Sequence, residues 1–329
     1  MTLNPKEVLK QTFGYEEFRQ GQNEIINSIV NKKNVLAIMP TGAGKSLCYQ
    51  IPAIICEKKT IVISPLVALM DDQVSALKQN KVSAERLHSH MADTENKEIW
   101  DNFCNGNIKI LYMSPEALMS PSKLEVIKTL DIGLFVIDEA HCISKWGPGF
   151  RKDYEALSQL KEIFPNSNIS AFTATADKAT REDIMEKLTN NNCELVLQGF
   201  KRPNLSLSVY QKFNWKDQLL RFLSDRKGQS GIVYCLSRKN TKEVAEFLNQ
   251  KGFKSIAYHA GQNQNVRKDN QNIFMTESGI VMAATIAFGM GIDKPDVRFV
   301  AHISLPSNME SYYQEVGRAG RDGKPSHRP

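Results

Sequence analysis

The sequence predicts an α/β protein with two lobes, each a parallel sheet flanked by helices. Short apolar runs alternate with helical stretches along most of the 329 residues, which is typical of βαβ units. Apolar residues form 41% of the chain and charged residues 24%, so each lobe can bury a core. A segment that contains Gly and Pro, at 199–204, separates the alternating strands and helices of the first lobe from those of the second. We expect a first lobe over 1–200, a connector over 201–212 and a second lobe over 213–329.

Apolar runs mark the predicted strands of both lobes, and helical periodicity marks residues 22–30 and 177–189. A further helix passes through residues 244–248 in the second lobe. Ligands of parallel sheets bind at the carboxyl ends of the strands, and the motifs described below follow such ends. The predicted strands are 35–39, 60–64, 109–113, 134–138, 169–172, 232–235, 255–258, 280–283 and 298–303.

The residues after the first predicted strand have the composition of a phosphate-binding turn. MPTGAGKS at 39–46 joins a buried strand to a helix, so the N–H groups of the turn and the start of the helix would face one anion. Lys45 would contact the β- and γ-phosphates, and the Ser46 hydroxyl would hold Mg²⁺. Met39 replaces the first glycine of the strict motif, and the alternative is a simple connecting turn. The other predicted nucleotide-binding residues of this loop are Thr41, Gly42, Ala43, Gly44 and Leu47.

Two adjacent carboxylates end the fourth predicted strand. Asp138 is suited to hold Mg²⁺, and Glu139 is suited to orient and activate an attacking water. A solvated turn is the alternative, but the apolar run before the pair and the upstream phosphate loop favour the chemical function. The six cysteines lie far apart and form no Cys-x-x-Cys pair, so we expect neither a disulfide framework nor a zinc site.

Two arginines lie near the end of the chain in a glycine-rich segment. Arg318 and Arg321 would share one face if this segment is helical. Their planar, always-charged guanidinium groups are the kind that stabilises a γ-phosphate during transfer. The alternative is a pair of solvated surface arginines.

Two aromatic stretches allow either a binding or a structural interpretation. Tyr15 could stack on a purine and the Gln22 amide could bind the adenine edge, although spacing alone favours a turn whose aromatics pack into the core. Trp146 and Phe150 lie among cations, including Arg151, as in surfaces that stack single-stranded bases. A loop pinned by its aromatics explains the second stretch equally well.

Charge and hydropathy restrict the partners and the compartment. The net charge of +6 and the pI near 8.9 permit a polyanionic partner without requiring one. No run approaches the roughly 18 apolar residues of a membrane span. The N-terminal residues lack the apolar core of a signal peptide. We therefore expect an intracellular protein with no membrane partner.

The motifs FGYEEFRQGQ, MPTGAGKS, DEAHCISKWGPGFRKDY, AFGMGIDKPDVRFVAH and QEVGRAGRDG occur in this order. Together they resemble superfamily-2 helicases, and most closely the RecQ family of DNA helicases, over residues 8–324. The resemblance implies two tandem RecA-like domains of the P-loop NTPase type, with ATP and Mg²⁺ as cofactors. It also implies 3′–5′ unwinding of tailed or branched DNA in recombination and repair, in the cytoplasm and nucleoid or in a nucleus.

The resemblance also implies roles for individual residues. Adenine would be recognised by Tyr15, Arg19 and Gln22, and DNA contact would be coupled to hydrolysis by Trp146, Phe150 and Arg151. Hydrolysis would be linked to motion by Thr173 and Thr175. The ATP site would be completed from the second lobe by Arg318 and Arg321, with Arg321 as the arginine finger.

Two departures from the family pattern affect the expected function. The family has an apolar strand after GRAGRDG, whereas residues 324–329 read KPSHRP, which we expect not to form a strand. The zinc-binding, winged-helix and HRDC regions of larger members do not follow, so we expect a minimal, truncated helicase core. A DNA-binding ATP switch without unwinding is the alternative function, and an RNA helicase is a third.

Overall fold

The computed structural model of the chain divides into two compact units, Met1–Phe200 and Lys201–Pro329. Each unit is an α/β domain around one parallel sheet, which confirms the predicted fold class. The first residues of the predicted connector lie outside the described part. The structure describes residues 4–88, 91–145, 150–199, 204–286, 288, 294–307 and 309–328.

Seven strands form the sheet of the first unit. They are β1 Val35–Ile38, β2 Lys59–Ile63, β3 Ala84–Leu87, β4 Ile110–Met113, β5 Ile132–Ile137, β6 Asn168–Thr173 and β7 Glu194–Leu197. Their order across the sheet is β3-β4-β2-β5-β6-β1-β7, and every pair is parallel.

Helices cover both faces of this sheet, so its inner strands are apolar on both sides. Leu36 and Ile38 of β1 pack into the core on one face, while Val35 and Ala37 pack into the core on the other. The helices are α1 Pro5–Phe13, α2 Gln22–Val30, α3 Lys45–Ile55, α4 Val67–Gln79, α5 Asp93–Cys104, α6 Pro115–Leu118, α7 Pro121–Thr129, α8 Lys152–Glu155, α9 Leu160–Ile163 and α10 Lys178–Thr189.

Two of these helices show how local sequence sets their ends. The Asn4 side chain accepts a hydrogen bond from the Lys6 N–H and caps α1, and Gly14 ends this helix in the left-handed conformation. The Asp177 side chain caps α10, and Asn190 ends it with φ 50°. The predicted bounds of α2 and α10 are confirmed to within one residue.

The second unit has a six-stranded parallel sheet. Its strands are β8 Leu205–Leu207, β9 Ser230–Tyr234, β10 Lys254–Tyr258, β11 Ile280–Ala284, β12 Val297–His302 and β13 Ser326–Arg328, in the order β10-β11-β9-β12-β13-β8. Its helices are α11 Trp215–Leu223, α12 Arg238–Gln250, α13 Gln264–Thr276 and α14 Met309–Val316.

The prediction that residues 324–329 form no strand is wrong. Ser326–Arg328 is β13, which pairs with β12 on one side and with β8 on the other. Pro325 precedes the first residue of the strand, so every N–H of the strand remains available for the ladder. The Ser326 N–H donates to the Asn204 carbonyl at 2.8 Å. Proline next to a strand therefore does not block it, as proline within one would.

All nine predicted strands are present with bounds shifted by at most two residues. The strands that the sequence did not indicate, apart from β13, are β3, β7 and β8, and all three lie at a sheet edge. These three strands are partly exposed, so their sequences lack the continuous apolar run by which inner strands are recognised. None of the helices in the described part of the chain is both long enough and apolar enough to span a membrane.

Candidate nucleotide-binding and hydrolysis site

The loop between β1 and α3 has the backbone of a phosphate cradle. Gly42 and Gly44 have φ of +83° and +80°, a conformation that glycine adopts without strain. A Cβ atom at Gly44 would lie 2.4 Å from Nε2 of Gln22, so a side chain here would displace the Gln22 amide. No described side chain caps α3, and its first N–H groups therefore remain for a bound anion.

Lys45 opens α3 and folds back over this loop. Its Nζ donates to the Met39 carbonyl at 3.3 Å, which places the ammonium beside the loop backbone. The same charge acts on the end of β5, because it opposes the elevation of the Asp138 pKa. The structure thus brings the predicted phosphate ligand and the predicted metal ligand into electrostatic contact.

The predicted acidic pair follows β5 directly. The Asp138 N–H donates to the Ile63 carbonyl at 2.9 Å, which continues the sheet, and the Glu139 N–H donates to Oδ1 of Asp138 at 3.0 Å. Burial and then the Glu139 charge raise the pKa of Asp138 to about 7. Two adjacent carboxylates at the end of a buried strand are oxygen donors of the kind that a divalent cation prefers. The donor set therefore fits Mg²⁺.

The backbone at Glu139 is strained. Its φ of 50° and ψ of 46° lie in the left-handed region, which is unfavourable for residues other than glycine. Its Oε2 atom is buried without a hydrogen bond from the described residues and lies 3.4 Å from Nδ1 of His141. A buried carboxylate oxygen with spare acceptor capacity is what a base for water requires.

His141 connects the acidic pair to β6. Its Nδ1 lies 2.8 Å from Oγ1 of Thr173, and that hydroxyl donates to the Thr175 carbonyl at 3.0 Å. Because the hydroxyl has one proton, Nδ1 of His141 must be the donor in their hydrogen bond. Burial lowers the pKa of His141 and favours the neutral ring. No role for His141 followed from the sequence, although this residue stands in the DEAH motif.

Tyr154 is a second residue that the sequence analysis did not single out. It is fully buried, and its hydroxyl donates to the Asp138 carbonyl at 3.0 Å. The contact fixes the backbone between Asp138 and the strained Glu139. Nothing in the spacing of Tyr154 pointed to this role.

The residues predicted to bind adenine contact the phosphate loop in this structure. Nε2 of Gln22 donates to the carbonyls of Ala43 and Gly44, each at 3.1 Å, and Oε1 accepts from the Arg19 N–H at 2.8 Å. Nη1 of Arg19 donates to the Gly42 carbonyl at 2.6 Å. Tyr15 is 53% exposed, which leaves its ring accessible for stacking. The adenine contacts remain predictions.

The aromatic loop after His141 is described only in part, because Trp146 lies outside the described residues. Phe150 is 37% exposed, with Nζ of Lys145 lying 5.9 Å from its ring centroid. Arg151 is anchored through its N–H to the Cys142 carbonyl at 2.9 Å and through Nη1 to the Pro65 carbonyl at 3.3 Å. Phe150 is therefore not a core residue, so its ring does not pin the loop as the alternative interpretation of this stretch supposed.

In the second unit, the two arginines lie beyond a helix rather than within it. α14 ends at Val316, and turns formed by Arg318 N–H to Glu315 and Ala319 N–H to Val316 follow it. The condition under which both arginines share a helical face is therefore not met. Arg318 is 7% exposed, and its charge opposes the rise that burial causes in the pKa of Tyr234, whereas Arg321 is half-buried. Arg318 is thus not the solvated surface residue of the alternative interpretation.

Two family models match the chain. One is described as DEAD/DEAH box helicase and covers residues 19–184, and the other is described as helicase conserved C-terminal domain and covers 211–323. The first spans half of the chain and includes the phosphate loop and the acidic pair. The chain belongs to the DEAD/DEAH box helicase family.

The chain is similar to curated RecQ proteins over nearly its whole length. It is 46% identical to the ATP-dependent DNA helicase RecQ of Haemophilus influenzae, over 97% of this chain and 52% of that protein. It is 42% identical to the Bacillus subtilis protein of the same name, over 98% of this chain and 55% of that protein. The chain thus spans about half the length of these curated relatives.

Solved structures show the same fold at low identity. Mycobacterium smegmatis helicase Lhr bound to ssDNA and AMP-PNP matches with a TM-score of 0.73 at 18% identity, over 96% of this chain and 46% of that one. Saccharomyces cerevisiae Dbp5 bound to RNA and ADP BeF3 matches with a TM-score of 0.71 at 16% identity, over 98% of this chain and 86% of that one. Both units therefore have RecA-like helicase folds.

Proposed function

We propose that this chain is the ATP-hydrolysing core of a 3′–5′ DNA helicase that moves along single-stranded DNA and separates duplexes. The observation that carries the proposal is the site in the first unit, where the glycine cradle and Lys45 lie near the buried Asp138 and the adjacent Glu139. The choice of DNA is supported by relatives named ATP-dependent DNA helicase RecQ that are 42–47% identical.

Each residue of this site has one task in the proposed reaction. The loop N–H groups and Lys45 bind the phosphates, and Ser46 and Asp138 hold Mg²⁺, which would neutralise charge on the phosphates. Glu139 orients the attacking water and takes its proton at Oε2, the buried oxygen that accepts no hydrogen bond from the described residues. Tyr154 keeps Asp138 and Glu139 in register through the Asp138 carbonyl.

The His141–Thr173–Thr175 chain supports the proposed link between hydrolysis and motion. Oε2 of Glu139 lies 3.4 Å from the His141 ring, whose Nδ1 binds the Thr173 hydroxyl. A proton gained by Glu139 removes the negative charge that faces this ring, and the change reaches Thr175 through the Thr173 hydroxyl.

Further proposed roles come from the family resemblance. We propose that Arg321 supplies positive charge to the γ-phosphate in the transition state and that Arg318 assists it. Tyr15, Arg19 and Gln22 would recognise adenine. A DNA contact would involve Trp146, Phe150 and Arg151.

The experiment compares ATP hydrolysis with strand separation. Steady-state hydrolysis is measured without nucleic acid, with single-stranded DNA and with single-stranded RNA, and unwinding is measured on duplexes with a 3′ or a 5′ tail. We expect stimulation by DNA over RNA and separation of the 3′-tailed duplex alone. The Lys45→Ala variant is the control and should lose both activities. A folded wild-type protein without DNA-stimulated hydrolysis would contradict the proposal.

A second candidate is a DNA-binding ATP switch that does not unwind. It requires only the nucleotide site of the first unit, where Lys45 acts on Asp138 beside Glu139. DNA-stimulated hydrolysis without strand separation would support the switch. Equal stimulation by RNA and DNA would support an RNA helicase instead.

A further inference from the structure

Gln198 is fixed by its backbone to the strand that carries the phosphate loop. It follows β7, which pairs with β1 in parallel register up to the pair Ile38 and Leu197. The Gln198 N–H continues this ladder and donates to the Ile38 carbonyl at 2.9 Å. Gln198 is therefore held at the point where β1 ends and the phosphate loop begins.

The side chain of Gln198 reaches the turn that precedes α2. Its Nε2 donates to the Gln20 carbonyl at 2.5 Å, across 178 positions of sequence. Its Cδ would lie 3.6 Å from a Cβ atom on Gly21, so the amide packs against this turn. Gly21 has φ +79°, a conformation that fixes the direction in which the chain enters α2.

The next residue after this turn is the one that binds the phosphate loop. Gln22 donates to Ala43 and Gly44, and its Oε1 accepts from Arg19 on the other side of the turn. The contacts therefore form a closed ring from β1 through the loop to Gln22, through the turn to Gln198 and back to β1. A ring of hydrogen bonds restricts each member more than an open chain would.

We propose that Gln198 is a positioning residue for nucleotide binding: it holds the turn at residues 19–21 so that Gln22 keeps the phosphate loop in its binding conformation. This inference rests on the proposed function, since it assumes that the loop binds ATP. Gln198 contacts neither the loop nor the acidic pair in the hydrogen bonds described above. Its effect should therefore appear in ATP affinity rather than in the chemical step.

The hydrogen bonds of Gln198 allow a substitution that tests its positioning role without lowering the stability of the fold. Its Oε1 is buried and accepts no hydrogen bond from the described residues. Methionine has similar length, removes the Nε2 donor and also removes this unsatisfied acceptor. Gln20 is exposed, so water can take the place of the lost donor at its carbonyl, and the substitution should be close to neutral for stability.

The experiment measures binding of a fluorescent ATP analogue and steady-state ATP hydrolysis for the wild type and Gln198→Met. We expect Kd and KM for the nucleotide to rise about five- to tenfold, the effect of one lost hydrogen bond, with kcat within about twofold. The matched control is Gln79→Met, at an exposed glutamine of α4, which should match the wild type.

A double-mutant cycle separates positioning from a general structural effect. If Gln198 acts through Gln22, Gln22→Met should weaken ATP binding, and adding Gln198→Met should weaken it by less than the product of the two single effects. Multiplicative effects would overturn the proposal.

Charge variants keep the test decisive if Gln198→Met folds poorly. Gln198→Lys retains a donor for the Gln20 carbonyl and should keep most of the affinity, whereas Gln198→Glu places a carboxylate against that carbonyl and should lose it. Equal Kd values for the wild type and the Met, Lys and Glu variants would overturn the inference while leaving the proposed function intact. A wild type that neither binds nor hydrolyses ATP would overturn both.

Discussion

Replacing Glu139 with glutamine should separate hydrolysis from stability in the first unit. Glutamine keeps the side-chain length, but its amide cannot take a proton from water. We expect kcat for ATP hydrolysis to fall by about 10²–10⁴-fold, the usual contribution of a positioned base, with ATP affinity retained. The prediction uses the buried Oε2 atom of Glu139, which has acceptor capacity to spare.

The same substitution should stabilise the unit, because it removes the repulsion between Glu139 and Asp138. The pKa of Asp138 is raised from 3.8 to about 7, first by burial and second by the Glu139 charge. About three pKa units correspond to about 4 kcal/mol, and since burial is the larger cause we assign about 1 kcal/mol to Glu139. That free energy corresponds to an increase in Tm of about 2–4 °C for a unit of this size.

The stability gain should depend on pH in a defined direction. Above pH 7 the folded protein carries both charges, so the full gain is expected at pH 8. As the pH falls through 7, Asp138 takes up a proton in the folded state and the repulsion disappears. The gain should therefore shrink between pH 8 and pH 6.

The assay is thermal unfolding in EDTA without nucleotide at both pH values, together with steady-state ATP hydrolysis in Mg²⁺ at saturating ATP. Glu57→Gln, at an exposed glutamate between α3 and β2, is the matched control and should change neither quantity. Wild-type turnover by Glu139→Gln, or a lower Tm at pH 8, would refute the reasoning.

Three further substitutions test other parts of the molecule. Arg321→Ala should lower kcat for ATP hydrolysis by about 10³-fold while sparing binding of a fluorescent ATP analogue, and normal turnover would exclude it as the arginine finger. Phe150→Ala, which removes an exposed ring, should raise the DNA concentration needed for half-maximal stimulation about tenfold without changing DNA-independent hydrolysis. Gly231→Ala places a Cβ atom 2.2 Å from the buried Phe299 ring and should cost about 1–3 kcal/mol in unfolding, whereas Gly199→Ala, with open space around it, should be neutral.

The inner strands of both sheets other than β13 could be predicted because each is buried on two faces and its sequence is therefore a continuous apolar run. The edge strands β3, β7 and β8 are partly exposed, and their short mixed sequences resemble loops. β13 shows most clearly that a strand cannot always be predicted from its local sequence. Its residues Ser, His and Arg indicate no strand, yet β12 and β8 offer backbone partners on both sides. Pairing is decided by those neighbours, which a local pattern does not contain.

The candidate site likewise has one part that could be predicted from the sequence and one part that could not. The phosphate loop at 39–46 and the pair Asp138 and Glu139 are groups of chain neighbours, so their chemistry follows from spacing. His141 binding to Thr173, and Tyr154 binding to the Asp138 carbonyl, join positions that only the folded sheet brings together. The position of Arg318 beyond the end of α14 was likewise not determined by its spacing from Arg321.

By itself, the sequence determined the class of fold, the glycine-rich turn at 39–46, the acidic pair and the family, because these depend on residues that are adjacent or on a periodic pattern. Tertiary structure decided the edge strands, the hydrogen bonds of His141, and the ring of contacts through Gln22 and Gln198. Those features depend on backbone groups and side chains from distant segments. Their energies arise only when the parallel strands align and bring the ends of β1, β5, β6 and β7 to one edge of the sheet.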